Sequence, residues 1–292
     1  MTSVYRNAQA QREVRRWCED RIADWSTSHV RGEVVTSAGA TSFVTAGPEP
    51  REGEPSVVLL PGTNMNAALC LPLVGALARG RRVTVLDLPG QPGLSAGGRP
   101  RVRRTAWYGQ WLSEAIERAA PGPVVAVGHS LGGAVALACG SPQIVGRVLL
   151  SSAGITRLRV PVPLLAATVP WLLRPSVARS TALLRQMAAP GAEAPPDHLS
   201  TWMDLVARCC RTSLAPPPLP SGLLEQRRPM PTLAVSGRFD PFLPPRVLGP
   251  SARRRLGAEF RVMEGAGHLL LDEAPVAVLA LVEEFCATFA TS

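Results

Sequence analysis

The sequence predicts an α/β domain: a mostly parallel, doubly wound sheet with a helical cap inserted into it. Three observations carry that expectation. Short apolar runs, Ser56 to Leu60, Arg82 to Leu86, Pro123 to Val127 and Arg147 to Leu150, read as strands covered on both faces. Helical segments separate them, Ala67 to Ala78, Ala106 to Ala119 and Leu131 to Cys139, and such alternation gives parallel pairing. The pattern then breaks from Ile155 to Pro231, where 13 prolines fall in 77 residues, against roughly 5% in an average chain.

Each element follows in order. Residues 1–28 form an N-terminal extension, with one helix of mixed charge between Tyr5 and Trp25 laid on the domain. Val30 to Val35 and Thr41 to Ala46 alternate in polarity around Ala38-Gly39-Ala40, which predicts a hairpin at a sheet edge. The core occupies 29–154 and resumes over 232–292. Its second part holds a strand at Thr232 to Val235, a helix at Val247 to Leu256, a strand at Glu259 to Met263 and a closing helix at Pro275 to Thr288. Between the two parts, residues 155–231 keep apolar helical pieces, Leu164 to Leu173, Ser176 to Met187 and Leu199 to Cys210. So long a detour between strands must pack somewhere, and it is expected to form a cap, or lid.

The composition, 46% hydrophobic and 18% charged, is that of a globular chain rather than a disordered one. The net charge is +9, and all of the positive charge is arginine. A codon bias toward arginine, alanine and proline is the simpler account, an anionic partner the alternative. The arginines occur in small groups without interleaved aromatics, so nucleic acid is not an expected partner. None of the six cysteines stands in a C-x-x-C pair, so no metal is expected; free thiols in a reducing compartment are. No dinucleotide loop implies an organic cofactor. Met1 to Trp25 lacks the apolar stretch of a signal peptide, and Val160 to Leu173 is too short and too broken by proline to span a bilayer. A soluble cytoplasmic protein without stable membrane insertion is expected.

The strongest chemical signal is Gly128-His129-Ser130-Leu131-Gly132, set between a predicted strand and a predicted helix. So tight a turn needs small residues on either side of the serine. It holds Ser130 at the carboxyl edge of the sheet, above the free N–H groups of a helix start. A serine nucleophile needs a base. His29 precedes the first strand, His198 lies in the cap, and His129 points away from its neighbour as a packed histidine. His268, in Gly265-Ala266-Gly267-His268 after the last strand, remains. Asp240 follows another strand end and completes the order Ser, Asp, His. It would fix the tautomer of His268. Asp87 is the rival acid, but Asp87-Leu88-Pro89-Gly90 looks like a structural turn. The oxyanion hole is expected from the N–H of Leu131 and from that of Thr63, with Asn64 second. Side chains of Asn64 or Asn66 can add to it, or serve as turn and cap. Apolar cap residues, Trp171, Trp202 and Met203, and Phe242 near the acid, are expected to line the substrate pocket.

These residues resemble the α/β-hydrolase superfamily. The resemblance runs from about Val30 to Phe289 and rests on Leu60-Pro61-Gly62, Asp87-Leu88-Pro89-Gly90, Gly128 to Gly133, Gly237 to Asp240 and Gly265 to His268. It implies a Ser–His–Asp triad, acyl transfer through an acyl-enzyme, and a cap after the sixth sheet strand. Many relatives have His-Gly where this chain has Pro61-Gly62, which bears on the second oxyanion donor. Ser130 sets aside the branches with an aspartate nucleophile, His129 the carbon–carbon bond hydrolases, and Leu131 the perhydrolases. The elbow looks most like carboxylesterases, lipases and thioesterases. The expected substrate is a small to medium apolar ester or thioester. The alternatives are an enzyme of secondary metabolism using the same triad for acyl transfer, cyclisation or lyase chemistry, and a ligand-binding protein on this scaffold.

Overall fold

The computed structural model describes residues 1–211 and 217–289. Residues 212–216 of the expected cap and 290–292 of the expected core lie outside them. The elements run β1 (Thr2–Ser3), α1 (Ala8–Ala23), β2 (His29–Thr36), β3 (Gly39–Ala46), β4 (Ser56–Leu60), α2 (Ala67–Leu77), β5 (Val83–Leu86), β6 (Gly98–Arg99) and α3 (Arg104–Ala119). Then come β7 (Val124–His129), α4 (Leu131–Ala138), β8 (Ile144–Leu150), α5 (Val162–Leu173), α6 (Val177–Arg185), α7 (Asp197–Cys209) and α8 (Ser221–Arg227). The chain closes with β9 (Thr232–Gly237), α9 (Pro245–Leu256), β10 (Glu259–Met263), α10 (Leu270–Glu273) and α11 (Pro275–Ala287).

Eight strands form one sheet in the order β10-β9-β8-β7-β4-β5-β3-β2. The hairpin β2–β3 lies at its edge, antiparallel, and every pairing from β5 to β10 is parallel. The apolar runs have a direct cause. Val57 and Leu59 pack on one face of the sheet, Val58 and Leu60 on the other, so both sides of each strand are core. Each such side chain contributes about 1.5–3 kcal/mol by leaving water. Strand β8 starts three residues earlier than its apolar run predicts, because Gly146 interrupts the hydrophobic signal without interrupting the ladder.

Asp87 turns out to organise the turn beyond β5. Its Oδ1 accepts from the Ala67 N–H at the start of α2, and its Oδ2 from the Leu94 N–H, each at 2.6 Å. Burial raises its pKa to about 6.

Helix α1 buries Ala10, Val14, Cys18 and Ile22, one face at four-residue spacing. Asn7 caps it by accepting from the Ala10 N–H at 2.8 Å. The helix also docks on α7, where Trp17 lies against Trp202 with ring centroids 4.6 Å apart. Helices α5 to α8 fill the detour between β8 and β9. They reach the loops at the carboxyl ends of the strands: Trp202 donates to the Asn64 carbonyl at 2.7 Å, and the His268 N–H to the Met187 carbonyl at 2.7 Å. Among the described residues no helix is long and apolar enough to cross a membrane.

Candidate active site

Strand β7 delivers Ser130 into a backbone conformation that most residues avoid, φ 50° and ψ −110°. Holding it there costs on the order of 1–3 kcal/mol, recovered from the packed strand and helix on either side. Gly132 is what makes the turn possible, since a side chain there would drive into the Leu60 carbonyl. Ser130 is buried, with 7% of its surface exposed.

The loop after β10 brings His268 to it. The Ser130 hydroxyl donates to His268 Nε2 at 3.1 Å, and His268 Nδ1–H donates to Asp240 Oδ2 at 2.9 Å. Asp240 stands on the turn after β9, where its Oδ1 accepts from the N–H groups of Phe242 and Leu243, both at 2.9 Å. Burial alone would raise the Asp240 carboxyl. The attraction of the His268 ring, hydrogen bonding and the nearby Ser151 hydroxyl outweigh it and hold the group below the ordinary aspartate range. The result is a buried carboxylate, an oriented imidazole and a hydroxyl in one line. The three residues singled out by sequence thus come together.

The backbone of His268 is fixed from several sides. Its carbonyl accepts from His129 Nε2 at 2.9 Å. Glu273 accepts from the Gly267 and Leu269 N–H groups, both at 3.0 Å, and from the Ala189 N–H at 2.6 Å. Gly267 has no room for a side chain beside the Met187 carbonyl. Burial and the neighbouring His268 push the pKa of His129 down to about 4, so its ring is neutral. Sequence reasoning passed over Glu273. Its signal was a carboxylate closing a short helix five residues after the histidine, a pattern too common to single out.

The N–H groups of Leu131 and Thr63 have no acceptor among the described residues. The Asn64 N–H, the alternative donor, does: it is given to Gln91 Oε1 at 2.9 Å. Asn64 sits at φ 60° and gives its carbonyl to Trp202, so it shapes the loop. Asn66 faces away, donating to the Pro92 carbonyl at 3.3 Å.

Two cavities are lined by chain neighbours of these residues, though Ser130, His268 and Asp240 themselves line neither. One of about 450 Å³ is lined by Leu131, Ala134, Val135, Tyr108, Leu219 and a set of arginines. The other, about 20 Å³, is lined by Gly62, Met65, His129, Leu199 and Leu269. Phe242 packs its ring on His268, centroids 4.7 Å apart. Trp171, Trp202 and Met203, expected to line the substrate pocket, are buried among the helices. They border neither cavity, because helix packing claims them: the Trp171 indole donates to the Met203 carbonyl at 3.2 Å, and Trp202 is sealed between α1 and the Asn64 loop. Among the described residues no cluster of His, Cys, Asp and Glu could hold a metal ion.

A model of the alpha/beta hydrolase family matches residues 57–281, from β4 into α11, and so spans Ser130, Asp240 and His268. The chain belongs to the alpha/beta hydrolase family. Hairpin β2–β3 and helix α1 lie ahead of the matched region. A pimeloyl-[acyl-carrier protein] methyl ester esterase of Aeromonas hydrophila is 26% identical over 246 residues, covering 79% of this chain and 95% of that protein. Among solved structures, carboxylesterase CesB of Bacillus subtilis superposes with a TM-score of 0.80 at 17% identity, covering 96% of this chain and 99% of the other. The naproxen esterase of Bacillus subtilis gives 0.76 at 20% identity, covering 96% and 98%. These two structures share the fold of this chain.

Proposed function

We propose that the protein is a serine hydrolase cleaving a carboxylic ester or thioester of a small to medium apolar substrate. The observation that carries this reading is the continuous line from Ser130 Oγ through His268 to Asp240. The names of the similar proteins, two carboxylesterases and a methyl ester esterase, support the reaction class.

In this mechanism Ser130 Oγ attacks the ester carbonyl carbon while His268 Nε2 takes its proton. Asp240 stabilises the imidazolium and keeps the ring in register. The carbonyl oxygen becomes an oxyanion, held by the N–H groups of Leu131 and Thr63. The tetrahedral species collapses, the alcohol or thiol leaves with the proton from His268, and an acyl-Ser130 ester remains. Water then attacks that ester with His268 again as base, releasing the acid and restoring Ser130. Segment 155–231 acts as the cap over this chemistry, and Phe242 borders the substrate beside His268. The six free, buried cysteines support a cytoplasmic site of action.

The test is hydrolysis of p-nitrophenyl esters of increasing chain length, wild type beside Ser130→Ala. Turnover by wild type and none by the variant is the expected outcome. If wild type is inactive and a fluorophosphonate probe does not label Ser130, the hydrolase reading fails.

A further inference from the structure

The 450 Å³ cavity has an unusual composition. One wall is apolar, formed by the largely buried α4 residues Leu131, Ala134, Val135 and Ala138. The facing rim is Arg99, Arg101, Arg103 and Arg104, and no carboxylate is among the described lining residues. None of the described ion pairs engages Arg101, Arg103 or Arg104. A codon bias scatters arginines over a surface. Here four fall within residues 99–104, and the fold sets that one segment along the cavity.

The rim is also built into the fold. Strand β1 pairs with β6, Thr2 opposite Arg99. Arg101 Nε donates to Thr2 Oγ1 at 3.3 Å, and Arg104 Nε to the Pro100 carbonyl at 3.0 Å. One nitrogen of each guanidinium is thereby anchored. Ser130, His268 and Asp240 do not line the cavity, but it reaches two residues that flank the reacting centre. Leu131 directly follows Ser130, and Gln91, another lining residue, holds the Asn64 N–H in the loop that carries Thr63. A cleft with one sign of charge and a low-dielectric wall concentrates the opposite charge.

We infer that the substrate carries, beyond the apolar chain next to its ester, an anionic end group, a carboxylate or a phosphate, which the rim of Arg101, Arg103 and Arg104 binds. The inference rests on the esterase reading and narrows it: the apolar part lies along α4 and the charge lies at the rim. Guanidinium forks suit both anions, since each offers two oxygens to paired N–H donors.

The experiment compares three p-nitrophenyl esters of equal chain length, ending in methyl, carboxylate or phosphate. Wild type is expected to favour at least one anionic ester over the methyl ester by about tenfold or more in kcat/KM. The larger of the two ratios identifies the group. The preference should fall toward one in about 0.5 M salt and in the double variant Arg101→Gln, Arg104→Gln. The double lysine variant, which keeps the charge, should restore part of it. A wild-type ratio of one or less overturns the inference, and so does a ratio that survives the glutamine variant. Should wild type cleave no ester, calorimetry with octanoate and octanamide separates the two readings. Tighter binding of octanoate, lost in the glutamine variant, sustains the anion site while the esterase reading falls; equal binding overturns the site as well.

Discussion

His129 Nε2 donates to the main-chain carbonyl of His268 across 2.9 Å, with the two rings 5.1 Å apart. A neutral ring has one N–H, and here that proton is committed to the backbone of the neighbouring histidine. His129 is therefore a positioning residue, holding His268 without exchanging protons with Ser130. His129→Leu removes the donor and leaves a buried carbonyl unpaired, a loss of about 1–3 kcal/mol. The kinetic consequence should be a kcat lowered about tenfold or more with KM nearly unchanged. His129→Gln, which can still present an N–H, should recover part of the rate. Steady-state kinetics of the three proteins decides it, and equal losses in both variants would tie the effect to packing.

Asp240 should matter through tautomer rather than charge alone. Asp240→Asn keeps the acceptors for Phe242 and Leu243 within reach but can turn an N–H toward His268 Nδ1. The imidazole would then carry its proton on Nε2, facing Ser130, where a lone pair is needed. A fall in kcat on the order of 10⁴ follows. Pre-steady-state acylation with a p-nitrophenyl ester measures it, and an unchanged acylation rate would remove Asp240 from the mechanism.

Glu273 links the histidine loop to the inserted helices, through Gly267 and Leu269 on one side and Ala189 on the other. Glu273→Gln substitutes one acceptor oxygen by a donor against these N–H groups. We expect a loss of about 1–3 kcal/mol in stability and a lower kcat, read together by thermal melts and kinetics. Glu273→Asp, whose carboxylate is one methylene short, should fall between the two. A melt that shifts with no change in kcat would make the contact structural only.

What was legible from sequence and what was not divide along a physical line. Ser130, Asp240 and His268 each follow a strand end, and strand ends on a parallel sheet converge, so local signals located a long-range cluster. The buried strands declared themselves because both faces are core. The ribbon of β1 and β6 has two residues on each side, too few for any period to register. Aromatic and apolar residues such as Trp202 look alike in sequence whether they roof a cavity or fill a core. Trp17, the partner of Trp202, lies 185 positions away on a different helix. Gln91 stands in a loop without periodicity, and only its reach to Asn64 gives it meaning.

Asp87 should leave a mark on stability against pH. Burial raises its pKa from 3.8 to about 6 in the folded protein, while the unfolded chain titrates near about 3.9. Between those values the folded state holds a proton that the unfolded state has lost. Stability from this group is thus fully present below about pH 4 and is lost as pH rises through about 6. The shift corresponds to about 3 kcal/mol across that window. Other carboxylates titrate there too, so the informative quantity is a difference. Unfolding free energies in urea, wild type minus Asp87→Asn, should decline from pH 4 to pH 7 and stay level above it. Asn mimics the neutral acid and removes the titration, though it also loses one acceptor for Ala67 or Leu94, which lowers the variant by a constant amount at every pH. A difference that is level from pH 4 to pH 7 and falls only below about pH 4 would mean that the two N–H donors prevail over burial and hold Asp87 ionised.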